Sequence, residues 1–132
     1  NSYICFLKAH ATTGIYTLSL HADFLIYIKP GISFSELSRG AFQRNKIYKS
    51  NNYPCVYHGA GLTDEYPKIY YQEDWARDGY DGIVEPNMVL CVESYSGAEE
   101  GEVGVKLEQM VLVTEMEVEV LSHYPFEDKL IQ

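Results

Sequence analysis

No two cysteines in this chain lie close together. Cys5, Cys55 and Cys91 are odd in number and widely spaced, which excludes a zinc knuckle, a redox CxxC pair and a disulfide framework. The three read as buried, reduced thiols of a cytoplasmic protein. Basic residues are scarce too: ten Lys and Arg stand against nineteen Asp and Glu, a net charge of -9. A nucleic-acid partner needs a basic footprint and is not expected. No apolar run approaches the roughly 20 residues of a membrane span, so no membrane partner is expected either. The first residues lack the basic cluster and cleavage site of a secretory leader. Asn1 stands where a Met would open a chain, and the sequence reads as a processed product or a piece of something longer. Internal repeats and low-complexity tracts are absent.

What is present fits one globular domain. With 132 residues, 46% hydrophobic and 22% charged, the chain can bury a core and is not disordered. The charge is uneven. Residues 1–57 hold six Lys/Arg against Asp23 and Glu36, whereas residues 58–132 hold four against seventeen Asp/Glu. Part of that acidic excess is solvated surface, and part suits a site that wants a cation.

Ile15, Leu18, Ala22, Leu25 and Ile26 recur at helical spacing and predict a helix ending at Lys29-Pro30-Gly31. Ser33 followed by Glu36 predicts a capping box and a second helix, with Phe34, Leu37, Ala41 and Phe42 as its buried stripe. Asn51-Asn52-Tyr53-Pro54 breaks it. A short strand over 54–58 is expected next, then an ordered loop over 66–87 that carries Trp75, the only tryptophan. MVLCVES (88–94) predicts a strand covered on both faces. GVKLEQMVLVTE (104–115) and VEVLSH (118–123) predict two more. Two helices followed by strands of a curved, mainly antiparallel sheet define an α+β fold.

The chemistry lies in HGAGLTDEYP (58–67) and in two carboxylates set inside apolar strands. Glu93 closes one strand and Glu108 sits in the middle of another. An ionised carboxylate buried without a partner costs several kcal/mol, so each needs a cation. Lys106 and Arg77 are candidates for plain ion pairs. Taken with His58, the two glutamates instead form a mixed N/O donor set that suits a metal. His10, His21 and His123 have no ligand-like neighbours and receive no role.

IKPGISFSEL, HGAGL, VEPNMVLCVES and GVKLEQMVLVTE, in that order, make the stretch from Lys29 to Ile131 resemble the pita-bread metalloenzymes. These include methionine aminopeptidase, Xaa-Pro aminopeptidase, prolidase and creatinase. The resemblance implies a C-terminal catalytic portion over 15–132 behind a poorly matching segment, 1–14. It implies divalent metal (Fe, Mn, Zn or Co) held by His58, Glu93 and Glu108. The longer run DEYPKIYYQEDWARDGYDG is similar to the dimethylsulfoniopropionate lyase branch. There the carboxylate at the place of Asp64 acts as general base, where the peptidases keep a second histidine. Tyr53 and Tyr66 are then substrate-binding candidates, among aromatics that would dry Asp64 and cradle a sulfonium cation. The implied substrate is a small molecule, a sulfonium zwitterion or a short peptide, and a homodimer stays open.

Departures accompany the match. The family's metal-binding aspartates lie on a hairpin that would fall at or before residue 1, and Asp23 belongs to the predicted helix. Metal binding by this chain is therefore expected to be weak and the chain inactive alone, either as part of an enzyme or as a truncated interaction module. Asn87 stands in the glycine place of EPGM, which asparagine tolerates. Met116-Glu117 replaces a glycine turn, at an expected cost to the last hairpin.

Overall fold

The computed structural model describes residues 21–41, 53–97 and 104–125. The segment 1–14, Ile15, Leu18 and Phe42 lie outside the described residues. Helix α1 is described over 21–27 and stops before Pro30 and Gly31, where Gly31 takes φ 85°. A backbone turned that way suits glycine, which has no Cβ to clash. The face α1 buries differs from the expected one. Phe24 and Ile28 are in the core with Leu25 half-buried, whereas Ala22 is exposed and Ile26 is 79% exposed. The buried phase is His21, Phe24, Leu25, Ile28, a regular helical stripe. Its polar member misled an apolar count: His21 is buried because both ring nitrogens find partners, Ser94 Oγ and Gln109 Oε1, each at 3.1 Å.

Helix α2, Phe34–Gly40, starts as its sequence dictates. Ser33 Oγ accepts the Glu36 N–H, and the Glu36 carboxylate accepts from the Ser33 N–H. The helix ends sooner than the pattern suggested. Ala41 already has extended backbone, φ -59° and ψ 127°, though it stays buried beside Phe34 and Leu37. Gly40 is a poor interior helix residue, and the Tyr27 ring lies where its Cβ would stand, 2.9 Å away.

Five strands follow: β1 Cys55–Gly59, β2 Lys68–Tyr70, β3 Val89–Gly97, β4 Gly104–Val113 and β5 Val118–Val120. They form one antiparallel sheet in the order β2-β1-β3-β4-β5. The segment 66–87 is less of a loop than expected. It supplies β2 and a third helix, α3, Gln72–Asp78. Its Tyr, Asp and Gly content hid both, because β2 is three residues long and α3 buries no residue fully. Helix α3 stops at Gly79, where any Cβ would strike Trp75.

The sheet's alternation sorts its side chains. Tyr57, Leu90, Val92, Ser94, Leu107, Val111 and Val113 face α1 and α2, and Tyr57 donates to the Phe24 carbonyl at 3.0 Å. Phe24 meets both Tyr57 and Tyr71 edge-on. The opposite face carries His58, Cys91, Glu93, Lys106 and Glu108. The β4–β5 turn finds its own remedy for the missing glycine. Thr114 Oγ1 accepts the N–H groups of Met116 and Glu117, while the Thr114 N–H donates to the Glu117 carbonyl at 2.8 Å. A side chain thus replaces conformational freedom.

The Glu85–Met88 turn sets the start of β3. Asn87 sits at φ 72° and donates to the Val113 carbonyl. Asn87→Gly is expected to keep or slightly raise stability, whereas Asn87→Val should lower it by about 1–2 kcal/mol, the cost of a β-branched side chain in left-handed backbone. Urea unfolding midpoints of the two variants check this.

Candidate metal centre

Two neighbouring cross-strand pairs build the site. His58 lies opposite Cys91 across β1 and β3, and Glu93 lies opposite Glu108 across β3 and β4. Since Cys91 and Glu93 are two residues apart, all four side chains leave the sheet on one face. His58 Nε2 is 3.4 Å from Glu93 Oε2 and 3.5 Å from Glu108 Oε1. The structure therefore brings these three predicted residues together.

The tautomer follows from chemistry. His58 Nδ1 is 3.0 Å from the Gly59 carbonyl, which can only accept, so Nδ1 carries a proton. Nε2 then faces two carboxylates, and only a proton or a cation makes that arrangement favourable. Burial pushes this imidazole's pKa down, but Glu108, Glu93 and the Gly59 carbonyl outweigh it and raise it to about 10. The reciprocal effect holds Glu108 below the usual carboxylate range, through His58 first and Lys106 after it.

Lys106 is the second compensating charge. Its ammonium contacts Glu93 Oε1 and lies 3.4 Å from Glu108 Oε2. Burial disfavours its charge, yet the two glutamates hold its pKa above the ordinary value. Glu93 is only 2% exposed, and its Oε1 has no well-aligned hydrogen bond. Lys106 answers the charge of that oxygen without saturating its lone pairs. The plain ion-pair alternative for the glutamates is thus partly realised, by Lys106 alone. Arg77 takes no part, because it pairs with Asp74 and Asp78 at the end of α3.

The donors also fit a divalent ion. Ligands about 2.1 Å from one cation stand roughly 3.0–3.4 Å apart, close to the separations of His58 Nε2 from the two carboxylates. An Nδ1–H bound to a backbone carbonyl is the usual way a ligand histidine is oriented. His58, Glu93 and Glu108 could hold the metal, which would take the place of the Nε2 proton.

Asp64 and Tyr66 lie beside this centre in a separate setting. Both line an open pocket of about 240 Å³ with Thr63, Glu65, Lys68 and Tyr80. Asp64 takes φ 60° and is exposed, so the aromatics do not dry it as expected: Tyr66, 63% exposed, stacks on Tyr80 instead. Tyr53 is outside that lining. Its ring lies 5.4 Å beneath Lys106 Nζ, and its hydroxyl donates to Glu65 at 3.4 Å. Burial, then Glu93 and Glu65, push the Tyr53 phenol up to about 12, so it stays a donor.

Three residues escaped the sequence reading. Glu65 joins pocket to centre through Tyr53 and an ion pair with Lys68 at 2.7 Å. Cys91 reads in the sequence only as a core thiol, although its register with His58 places it on the site face; burial, then Glu108, push its thiol up to about 12. His21 supports the same strands from behind. Burial lowers its pKa to about 4, so it is neutral at physiological pH.

The sheet thus carries helices on one face and a His/Glu/Glu cluster on the other. The chain belongs to metallopeptidase family M24, whose model matches residues 10–115. It is 40% identical over 104 residues to dimethylsulfoniopropionate lyase DddP of Roseovarius nubinhibens, covering 79% of this chain and 23% of that protein. The same lyase of Roseobacter denitrificans is 38% identical over the same shares. The chain thus spans about a quarter of the curated relatives it matches. Among solved structures, X-Pro aminopeptidase from Thermotoga maritima superposes with a TM-score of 0.70 at 26% identity, over 88% of this chain and 32% of that one. Prolidase from Pyrococcus furiosus gives 0.66 at 26%, over 91% and 35%. The fold is the pita-bread α+β fold, and the family generally depends on divalent metal. Among the described residues no helix is long and apolar enough to cross a membrane.

The raised pKa of His58 has a pH consequence. A histidine protonated more readily in the folded than in the unfolded chain contributes its full stabilisation below its unfolded pKa of about 6.5. That contribution fades as pH rises through the folded value of about 10. The metal-free protein should therefore lose stability between these limits, and His58→Asn should flatten that part of the profile. Urea midpoints measured from pH 6 to 10 with a chelator present check the sign.

Proposed function

We propose that residues 15–132 are the C-terminal part of an M24 catalytic domain that works as a metal-dependent carbon–sulfur lyase. The supporting observation is the convergence of His58 Nε2 with the Glu93 and Glu108 carboxylates, in a chain 40% identical to a dimethylsulfoniopropionate lyase. In this reading the three residues hold Fe, Mn, Zn or Co. When bound, the metal supplies a Lewis acid that fixes and polarises the substrate's carboxylate end.

The remaining work falls to the chain's own side chains. Asp64 is the general base: it takes a proton from the substrate carbon, a C=C bond forms, and the C–S bond breaks as dimethyl sulfide leaves with its electron pair. The Asp64 carboxylate is exposed, and substrate entry would desolvate it. Tyr66, held by its stack on Tyr80, offers a π face to a sulfonium cation. Tyr53 already lies under the Lys106 ammonium, so its part is to orient Glu65 and Lys106 beside the substrate. The aminopeptidase reading suits the fold equally. It is weaker at Asp64, where a carboxylate acceptor replaces the donor imidazole that a tetrahedral oxyanion needs.

Three protein donors leave half of a six-coordinate shell to water or to residues beyond those described. The 132-residue chain is expected to bind Mn²⁺ weakly in calorimetry and to release no dimethyl sulfide. In the full-length protein, Asp64→Asn should lower lyase turnover by about 10²–10⁴-fold, the usual worth of a general base. Its metal content should not change, while His58→Ala should lose metal. Undiminished turnover in Asp64→Asn removes the base role. Hydrolysis of an Xaa-Pro dipeptide with no lyase activity transfers the site to the peptidase reading.

A further inference from the structure

Cys91 stands where a core thiol has no need to be. Its register places it directly opposite His58, on the same sheet face as Glu93 and Glu108. Ligand atoms of His58, Cys91 and Glu108 all lie within 4.8 Å of one another. Together with Glu93 the centre presents one nitrogen, one sulfur and two carboxylate groups. Cys55, the other described free thiol, is different. It is buried too, but it lies at the irregular start of β1 and donates to the Tyr57 and Ile69 carbonyls, well paired by backbone.

The carboxylates beside Cys91 already draw a cation. Buried Glu93 Oε1, two residues along the same strand face, is answered by the Lys106 ammonium that contacts it. The two carboxylates are balanced by His58 and by the Lys106 ammonium, which also lies over the Tyr53 ring. A divalent ion entering here meets a ready N/O/O set with a thiol at its edge. A soft sulfur ligand alters which ion is preferred: thiolate and imidazole favour Zn²⁺ and Co²⁺, whereas an all-oxygen shell favours Mn²⁺ and Mg²⁺.

We propose that Cys91 is a fourth metal ligand of this centre, and that its thiolate biases the site toward Zn²⁺ or Co²⁺ over Mn²⁺. The inference rests on the His58/Glu93/Glu108 metal reading and adds a ligand to it. On binding, the Cys91 S–H bond gives its proton to water and the sulfur lone pair forms the bond to the metal, with no change of oxidation state. Four protein donors then match the tetrahedral count that Zn²⁺ prefers.

The experiment titrates Co²⁺ into the full-length metal-free protein and follows two spectral regions. Visible d–d bands report that Co²⁺ is bound, and a near-ultraviolet charge-transfer band reports a sulfur–cobalt bond. Both should appear in the native protein. Cys91→Ser should keep the d–d bands and lose the charge-transfer band, while Cys55→Ser should keep both. Competition between the metals should show Cys91→Ser weakening Zn²⁺ by ~10-fold or more, with Mn²⁺ little affected. Circular dichroism checks folding, and Cys91→Ala serves as the second variant if serine misfolds. Co²⁺ bound without the charge-transfer band, or a band that survives in both Cys91 variants, overturns Cys91 as a ligand and leaves the other three standing. Absence of d–d bands in the native protein overturns the metal reading itself, and this inference with it.

Discussion

Two carboxylates directly opposite each other across β3 and β4 are the constraint on which this structure turns. Glu93 and Glu108 share a rung, and like charges so placed repel at short range in a partly desolvated setting. The sheet is sustainable only if positive charge stands beside that rung. His58 supplies it from β1 and Lys106 from β4 itself. In the metal-free protein the site is thus close to charge-neutral, with a proton on His58 occupying the position that a divalent ion would claim. Ligand binding and fold stability draw on the same few side chains.

That coupling explains the division of labour between the two sheet faces. The helix face is packed with apolar side chains and aromatic edges, and its stability does not depend on ions. The other face is assembled from groups that are individually costly to bury and become favourable only as a set. The pocket of Asp64 and Tyr66 adjoins it, connected through Glu65, Tyr53 and Lys106. A charge change at the centre is felt there: Glu65 is held below the usual carboxylate range by Lys68 first, with His58 contributing at longer reach.

Much of this was legible in the sequence, for definite reasons. Ser33 and Glu36 announce a capping box by residue type and spacing alone, and the helix begins there. The apolar run around Val89–Val92 and the strand around Glu108 announce themselves by period. The left-handed turn at Asn87 follows from the one non-glycine residue that best accepts it. What escaped is what depends on partners far along the chain. His21 has no ligand-like neighbour in the sequence and receives no role there, because its partners Ser94 and Gln109 lie far along the chain. Ala22 and Ile26 were placed inward because apolar periodicity cannot tell one phase of a short helix from its neighbour. β2 is too short to show a period, and α3 buries too little to show a stripe. Cys91 could have been found: pairing His58 with the middle of MVLCVES puts the cysteine on the histidine's face.

His21 carries a consequence that concerns how the strands find one another. Ser94 and Gln109, its two partners, are the immediate chain neighbours of Glu93 and Glu108, and they point to the opposite face. A slip of either strand by one residue would therefore exchange the two sets. Carboxylates would enter the apolar layer, and a neutral imidazole would lose both acceptor and donor. Each misaligned sheet carries a buried, unanswered polar group, which costs more than any apolar contact it gains. One histidine on a helix thereby acts as a gauge of alignment, accepting a single arrangement of β3 against β4.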